Sequence, residues 1–156
     1  MQKKDSLDNT GTASAPLHHH TWAATPGAST LGNANDTTID ITEVDENGNT
    51  AGTWIAIQCV SAIGDDTNWV GKWVNDVDGS PEATEEWAAF ETWDDEVTIT
   101  GLGTGKYYCF QAKAINAASV QTDLGPEVCL ATTGGAAPPS YTINNMQISD
   151  MTFSGD

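Results

Sequence analysis

Positive charge is scarce in this chain, with 5 Lys+Arg against 22 Asp+Glu, a net charge of −17 over 156 residues. A field of that sign repels nucleic-acid phosphates and anionic lipid headgroups, so neither is an expected partner; it suits divalent cations or a saline exterior. Histidine is almost missing: the three present stand side by side as His18, His19 and His20. Neighbouring side chains on an extended chain point to opposite faces, so the triplet reads as a solvated or partner-contacting patch rather than a metal site. No G-x-S-x-G elbow or H-E-x-x-H helix accompanies it, and a hydrolase would lack a base for its nucleophile. The glycine-rich run Gly101-Leu102-Gly103-Thr104-Gly105 leads into a strand rather than a helix N-terminus, which excludes a phosphate cradle. Catalysis is not expected. Long apolar runs are absent as well: no window approaches the roughly 18 residues of a membrane helix. The N-terminus MQKKDSLDNTGTASAP starts basic but has no apolar stretch behind it, so membrane insertion is not expected and export would depend on processing or on a segment outside this stretch.

What is present is alternation. Thr37-Thr38-Ile39-Asp40-Ile41-Thr42 alternates as a half-buried strand, and Thr53 to Val60 and Trp69 to Val74 read as two more. Asp45-Glu46-Asn47-Gly48-Asn49 between the first two is turn chemistry. It resembles the start of a calcium loop, but Thr50 stands where that loop needs Gly. Residues 1–27 are rich in Ser, Thr, Ala, Gly and Pro and read as an extended arm. One domain, 28–133, follows it, because the length supports a single core. Beyond it, 134–156 is a Gly-Pro hinge and a tail.

The most regular stretch is Val97 to Thr133. Val97 and Ile99 are followed by Leu102, a glycine turn, then Tyr108, Phe110, Ala112 and Ala114 at every second place. This order resembles the E strand, E–F corner and F strand of a fibronectin type III domain, with Leu102 and Tyr108 as the corner; here Gly103-Thr104-Gly105 occupies the turn where the family usually has proline. The resemblance covers about Ala28 to Thr133. It implies an all-β, immunoglobulin-like Greek-key sandwich of about seven strands, flanked by extended arms, in an extracellular or cell-surface setting and without catalysis. In that frame Thr37–Thr42 is strand B, Thr53–Val60 strand C and Trp69–Val74 strand C′, and Glu127 to Thr132 returns as strand G beside F, with the turn near Ser119. Cys109 and Cys129 then lie opposite each other, facing away from Tyr108 and Phe110, and a cross-strand disulfide is expected; two buried free thiols are the alternative. Cys59, which shares parity with Ile55 and Ile57, reads as a buried thiol or, alternatively, an intermolecular bridge.

Three features remain as functional candidates. Asp76, Asp78 and Glu82 offer hard oxygen ligands to Ca²⁺, but a solvated loop is the preferred reading, since their spacing does not stand out in a chain this acidic, and no cofactor is required. Trp69, Trp73, Trp87 and Trp93 make the domain tryptophan-rich; they either cap the core or form an aromatic platform for polysaccharide. In Trp87-Ala88-Ala89-Phe90-Glu91-Thr92-Trp93 the aromatics would share one face on a helix, but not on a strand. In the tail, Tyr141 and Ile143, Met146 and Ile148, and Met151 and Phe153 alternate although the sandwich is complete without them. Such a segment adds to an edge of its own domain or of a neighbour. The leading expectation is an exported structural subunit that self-assembles as a homo-polymer, a surface filament, pilus or sheath, through its terminal arms. The alternative is a carbohydrate- or surface-binding module of a larger secreted enzyme or adhesin.

Overall fold

The computed structural model describes residues 22–50, 52–64 and 68–134. Among these the chain forms β1 (Thr30–Gly32), β2 (Ile39–Glu43), β3 (Trp54–Ile63), β4 (Trp73–Val74), β5 (Pro81–Glu82), β6 (Ala88–Ala89), α1 (Phe90–Asp94), β7 (Val97–Ile99), β8 (Tyr107–Ile115) and β9 (Val128–Ala131). The strands divide into a sheet of order β1-β2-β7 and a larger one of order β5-β4-β3-β8-β9, with β6 also beside β3. Every pairing is antiparallel. In strand letters this is A-B-E on one sheet and C′-C-F-G on the other. The chain is therefore a fibronectin type III-like β-sandwich, the class that the Leu102/Tyr108 corner implied.

The alternation in the sequence is what fills the space between the sheets. Ile39 and Ile41 from β2, Ile55 and Ile57 from β3, Ile99 from β7 and Tyr108 and Phe110 from β8 are all completely buried. Each such aliphatic side chain contributes about 1.5–3 kcal/mol by leaving water. Between the two isoleucines of β2, Asp40 turns outward and accepts a 2.7 Å hydrogen bond from the Thr98 hydroxyl on the paired strand. Its polarity is thus satisfied on the face opposite the core.

Strand C′ is shorter than its apolar run suggests. Only Trp73–Val74 are strand, because Trp69 to Lys72 form a turn closed by Lys72 N–H to Trp69 C=O at 2.9 Å, with Gly71 at φ +80°. The turn folds back on β3, where Cys59 N–H donates to Lys72 C=O at 2.9 Å and Gly71 N–H to Cys59 C=O at 2.8 Å. Residues 22–27 run extended against the Asp45–Asn49 turn: Ala24 N–H donates to Asn49 Oδ1 at 2.7 Å and Gly27 N–H to Asp45 C=O at 2.8 Å.

The chain crosses between sheets at the corner after β7. Leu102 and Tyr108 are buried there, and Gly103 N–H donates a 2.6 Å hydrogen bond to the Tyr108 hydroxyl oxygen. Removing that oxygen leaves a backbone donor without its acceptor. Tyr108→Phe is expected to cost about 1–3 kcal/mol, read as a lower denaturation midpoint at unchanged slope; an unaltered midpoint would show that the hydroxyl does not hold the corner.

The hairpin of β8 and β9 is closed covalently. Cys109 and Cys129 are register partners 4.1 Å apart at Cα and joined as a disulfide. The turn lies at Asn116–Val120, as the sequence places it, with Ser119 at φ +61° and Asn116 N–H donating to Val120 C=O at 3.1 Å. Cys59 lies outside the disulfide; it is buried, with its thiol 3.5 Å from Ser61 C=O. Reduction should lower the unfolding free energy by about 3 kcal/mol in the loop-entropy account. The check is the melting temperature with and without a thiol reductant, beside a Cys109→Ala/Cys129→Ala double variant that reductant should leave unmoved.

Candidate functional site

The outer face of the larger sheet carries a cluster that the core does not need. The β3–β8 register pairs Trp54 with Ile115, Ala56 with Lys113 and Gln58 with Gln111, so these alternate residues project to the side away from the core. Lys113, only 9 % exposed, lies in the middle. Its ammonium sits 4.7 Å from the ring centre of Trp73 and 5.3 Å from that of Trp87. It donates to Glu85, in an ion pair, and to Gln121 Oε1 at 2.9 Å. Gln121 Nε2 in turn donates to Glu85 Oε2 at 3.0 Å, which closes a ring of three side chains. Two indole faces and a carboxylate together compensate the desolvation of a buried ammonium, which none would do alone.

Glu85 responds electrically to this setting. The hydrogen bond from Lys113 holds its carboxyl below the usual glutamate range, helped by the Lys113 charge and by hydrogen bonds from Gln121 and Trp87, while partial burial opposes the shift. A folded-state pKa below the unfolded value means that stabilisation is fully present above the ordinary value of 4.5 and is lost as pH falls through the lower folded value. The contribution of Glu85 to the wild-type melting temperature should therefore fade on acidification from about pH 5, narrowing the gap to Glu85→Gln. Glu85→Gln should begin lower at neutral pH and show a shallower acid slope. Parallel slopes in the two proteins would refute the assignment. Asp78, held low by hydrogen bonding from Ser80, is intact in both proteins and cancels in the comparison.

Beside the cluster lies an open groove of about 530 Å³, lined by Gly52, Trp54, Trp87, Ile115, Asn116, Ala117 and Ser119. Trp54 is 50 % exposed there. The lining is mostly apolar and carries no charged side chain, so what it offers chemically is indole surface with polar groups at its end.

Of the two roles open to the four tryptophans, core or platform, three take the buried one. Trp69 is fully buried edge-on against Phe110, with ring centres 6.2 Å apart. Trp93 is fully buried and donates from its indole nitrogen to Ile55 C=O at 3.2 Å. Trp73 is buried over Lys113, and Trp87 alone reaches the groove. The segment divides between the two alternatives: Ala88–Ala89 are strand and α1 begins at Phe90, so Trp87 precedes the helix and shares no helical face with Phe90 and Trp93. The exposed residue that this reading missed is Trp54. The signal was parity, since it stands out of phase with Ile55, Ile57 and Cys59, which are all core residues.

The acidic hairpin does not gather ligands either. Asn75 Oδ1 accepts from Val77 and Asp78 N–H, and Asp78 Oδ1 accepts from Ser80 N–H at 3.0 Å, so these side chains shape the β4–β5 turn. Among the described residues the only trio with metal-ligand spacing is Cys109, Glu127 and Cys129, whose two sulfurs are bonded to each other. Asp76, Asp78 and Glu82 are not brought together. His18, His19 and His20, and the tail residues Tyr141, Ile143, Met146, Ile148, Met151 and Phe153, lie outside the described residues.

No family model and no curated protein matches the chain. Among solved structures it is similar to the fibronectin type III domain of the human fibronectin type III domain containing protein 3, at 15% identity over 82% of this chain and 99% of that one, with a TM-score of 0.49. It is also similar to the third such domain of a second human protein, at 14% identity over 83% and 99%, TM-score 0.39. A computationally redesigned β-sandwich protein aligns over 74% of this chain and 95% of its own, at 13% identity and TM-score 0.44. No described helix is long and apolar enough to cross a membrane, and the disulfide belongs to an oxidising compartment.

Proposed function

We propose that the chain is a non-catalytic structural module of an exported protein, and that copies associate by adding a strand to the outer edge of β9. The observation that carries this reading is the contrast between the sheet edges. At the far edge of the larger sheet, β5 is two residues long and includes Pro81, which has no N–H to offer. On the smaller sheet the edge strand β1 is three residues long and bulged between Thr30 and Leu31, and the other edge, β7, is also three residues long, with Gly79 packed against Thr98. Short, proline-bearing and bulged edges are devices against strand addition. β9 (Val128-Cys129-Leu130-Ala131) pairs on one side with β8 and has neither proline nor charge.

The sequence supplies a matching strand. From Ser140 to Phe153 the only charged residue is Asp150, in a chain of net charge −17. An almost neutral, alternating segment approaches an acidic domain with little repulsion, and its backbone supplies the hydrogen bonds of an added strand. Heterologous addition of this kind yields open polymers rather than closed rings. Light scattering and negative-stain microscopy of the full chain test the reading. Regular fibres are expected, and a chain ending at Gly134 should remain monomeric. A full chain that stays at 16.4 kDa at neutral pH and physiological salt overturns assembly, and a shortened chain that still forms fibres overturns the role of the tail.

A further inference from the structure

We infer that the groove between Trp54 and Trp87 is a binding site for a neutral polysaccharide, whose pyranose rings lie with their C–H faces on the indole of Trp54. This inference is independent of assembly at β9, because it uses the opposite end of β3 and β8. Four observations carry it.

The first is the exposure of Trp54. A strand residue of that size, half exposed where its neighbours Ile55, Ala56 and Ile57 are fully buried, presents a flat apolar face to water. One exposed aromatic is ordinary, but Trp54 is continuous with Trp87 in a single hollow of about 530 Å³. That volume lies within the range of small-ligand sites.

The second is charge. The lining contains no ionisable side chain, and Lys113, whose ammonium lies over the rings of Trp73 and Trp87, is committed to Glu85 and Gln121. Nothing in the groove compensates an anion, and the net charge of −17 repels one. A cationic ligand would be drawn by that field, yet it would find no carboxylate in the lining and a buried ammonium behind Trp87. An uncharged ligand with an apolar face and polar edges meets neither objection, and a pyranose has that build: axial C–H groups on one face, hydroxyls around the rim.

The third is rigidity. Trp87 is held from behind by Lys113 and bonded to Glu85, and the rim at Ser119 is locked in a left-handed conformation, φ +61°. A preformed aromatic wall loses little conformational freedom when a ligand stacks on it. The fourth is extent. Gly52 lines this groove, and Thr50 and Thr53, joined by a turn bond from Thr53 N–H to Thr50 C=O at 3.0 Å, line a second hollow of about 150 Å³ that is also walled by Trp22, itself 82 % exposed. Two tryptophan-walled hollows sharing one turn suit successive rings of a polymer better than a single sugar.

The test is titration of the full chain, followed by tryptophan fluorescence and calorimetry, with neutral hexasaccharides of glucose, mannose and N-acetylglucosamine, and with oligolysine as the cationic competitor class. At least one hexasaccharide should blue-shift the emission and saturate it with a Kd on the order of 1 mM or tighter. Trp54→Ala should weaken that binding about tenfold or more, Trp54→Tyr should retain most of it, and Val77→Ser, at an exposed remote position, should leave it unchanged. Equal melting temperatures of the Trp54 variants and the wild type certify the fold; if Trp54→Ala fails this, Trp54→Gln, expected to weaken binding about as much, carries the comparison. No response to any neutral sugar, equal affinity of Trp54→Ala and wild type, or saturation by oligolysine alone would each overturn the inference.

Discussion

Everything described here hangs on the antiparallel ladder between β3 and β8. It runs from Trp54–Ile115 to Ile63–Tyr107, interrupted once between Cys59 and Ser61. Because side chains on a strand alternate strictly, the register that directs Ile55, Ile57, Phe110 and Ala112 into the core directs Trp54, Lys113 and Gln111 outward. A slip of one residue would place Lys113 between the sheets and strand the isoleucines in water. The core therefore holds the outer cluster in place, and the cluster reinforces the register, since Lys113 finds Glu85 and Gln121 only in this alignment. The bulge has its own use: at the irregularity, Cys59 exchanges backbone bonds with Gly71 and Lys72, which turns the chain into β4 and lays Trp73 over Lys113.

The ends of the ladder are secured by different chemistry. At one end the corner hydrogen bond of Tyr108, the disulfide and Thr132, whose hydroxyl donates to Gly103 C=O at 2.6 Å and accepts from Lys106 N–H at 2.9 Å, bind β8, β9 and the crossover into one unit. At the other end Trp93 reaches from α1 through the core to Ile55 C=O. The hairpin between β4 and β5 is anchored by contact rather than by bonding reach alone. Gly79, at φ +67°, lies so close to β7 that a Cβ would stand 1.8 Å from Thr98 C=O, and Thr100 N–H donates back to Gly79 C=O at 3.0 Å. Only glycine satisfies both the angle and the approach.

How far the sequence could be read follows from the range of the forces involved. Strands B, C, F and G were legible because alternation is a local property, and the corner because Leu102, the glycine turn and Tyr108 lie within seven residues of one another. The short C′ strand was not, because Trp69 and Val70 have strand propensity that the Cys59–Gly71–Lys72 bonds override from twelve residues away. The fates of the tryptophans were illegible for the same reason. Whether an indole faces water or the core depends on what packs against it, and for Trp73 that is a lysine forty residues later. Trp54 is the instructive exception: its parity against Ile55 and Ile57 announced an outward side chain, but the other tryptophans, grouped in sequence, drew the aromatic hypothesis away from it.

The distribution of charge joins these features. A chain this acidic has few cations with which to settle its carboxylates, and one of its five Lys+Arg is placed where water hardly reaches. An exposed lysine would reduce the net repulsion just as well, so the burial of Lys113 is explained by local geometry rather than by overall charge. Lys113 pairs with Glu85 and lies over Trp87, and the adjoining hollow is lined by neutral residues on an otherwise acidic chain. The same logic applies at β9, whose uncharged edge is a second neutral strip. In the proposed assembly, like charge would repel copies of this domain elsewhere and favour approach along such strips, so acidity would confine association to particular faces instead of preventing it.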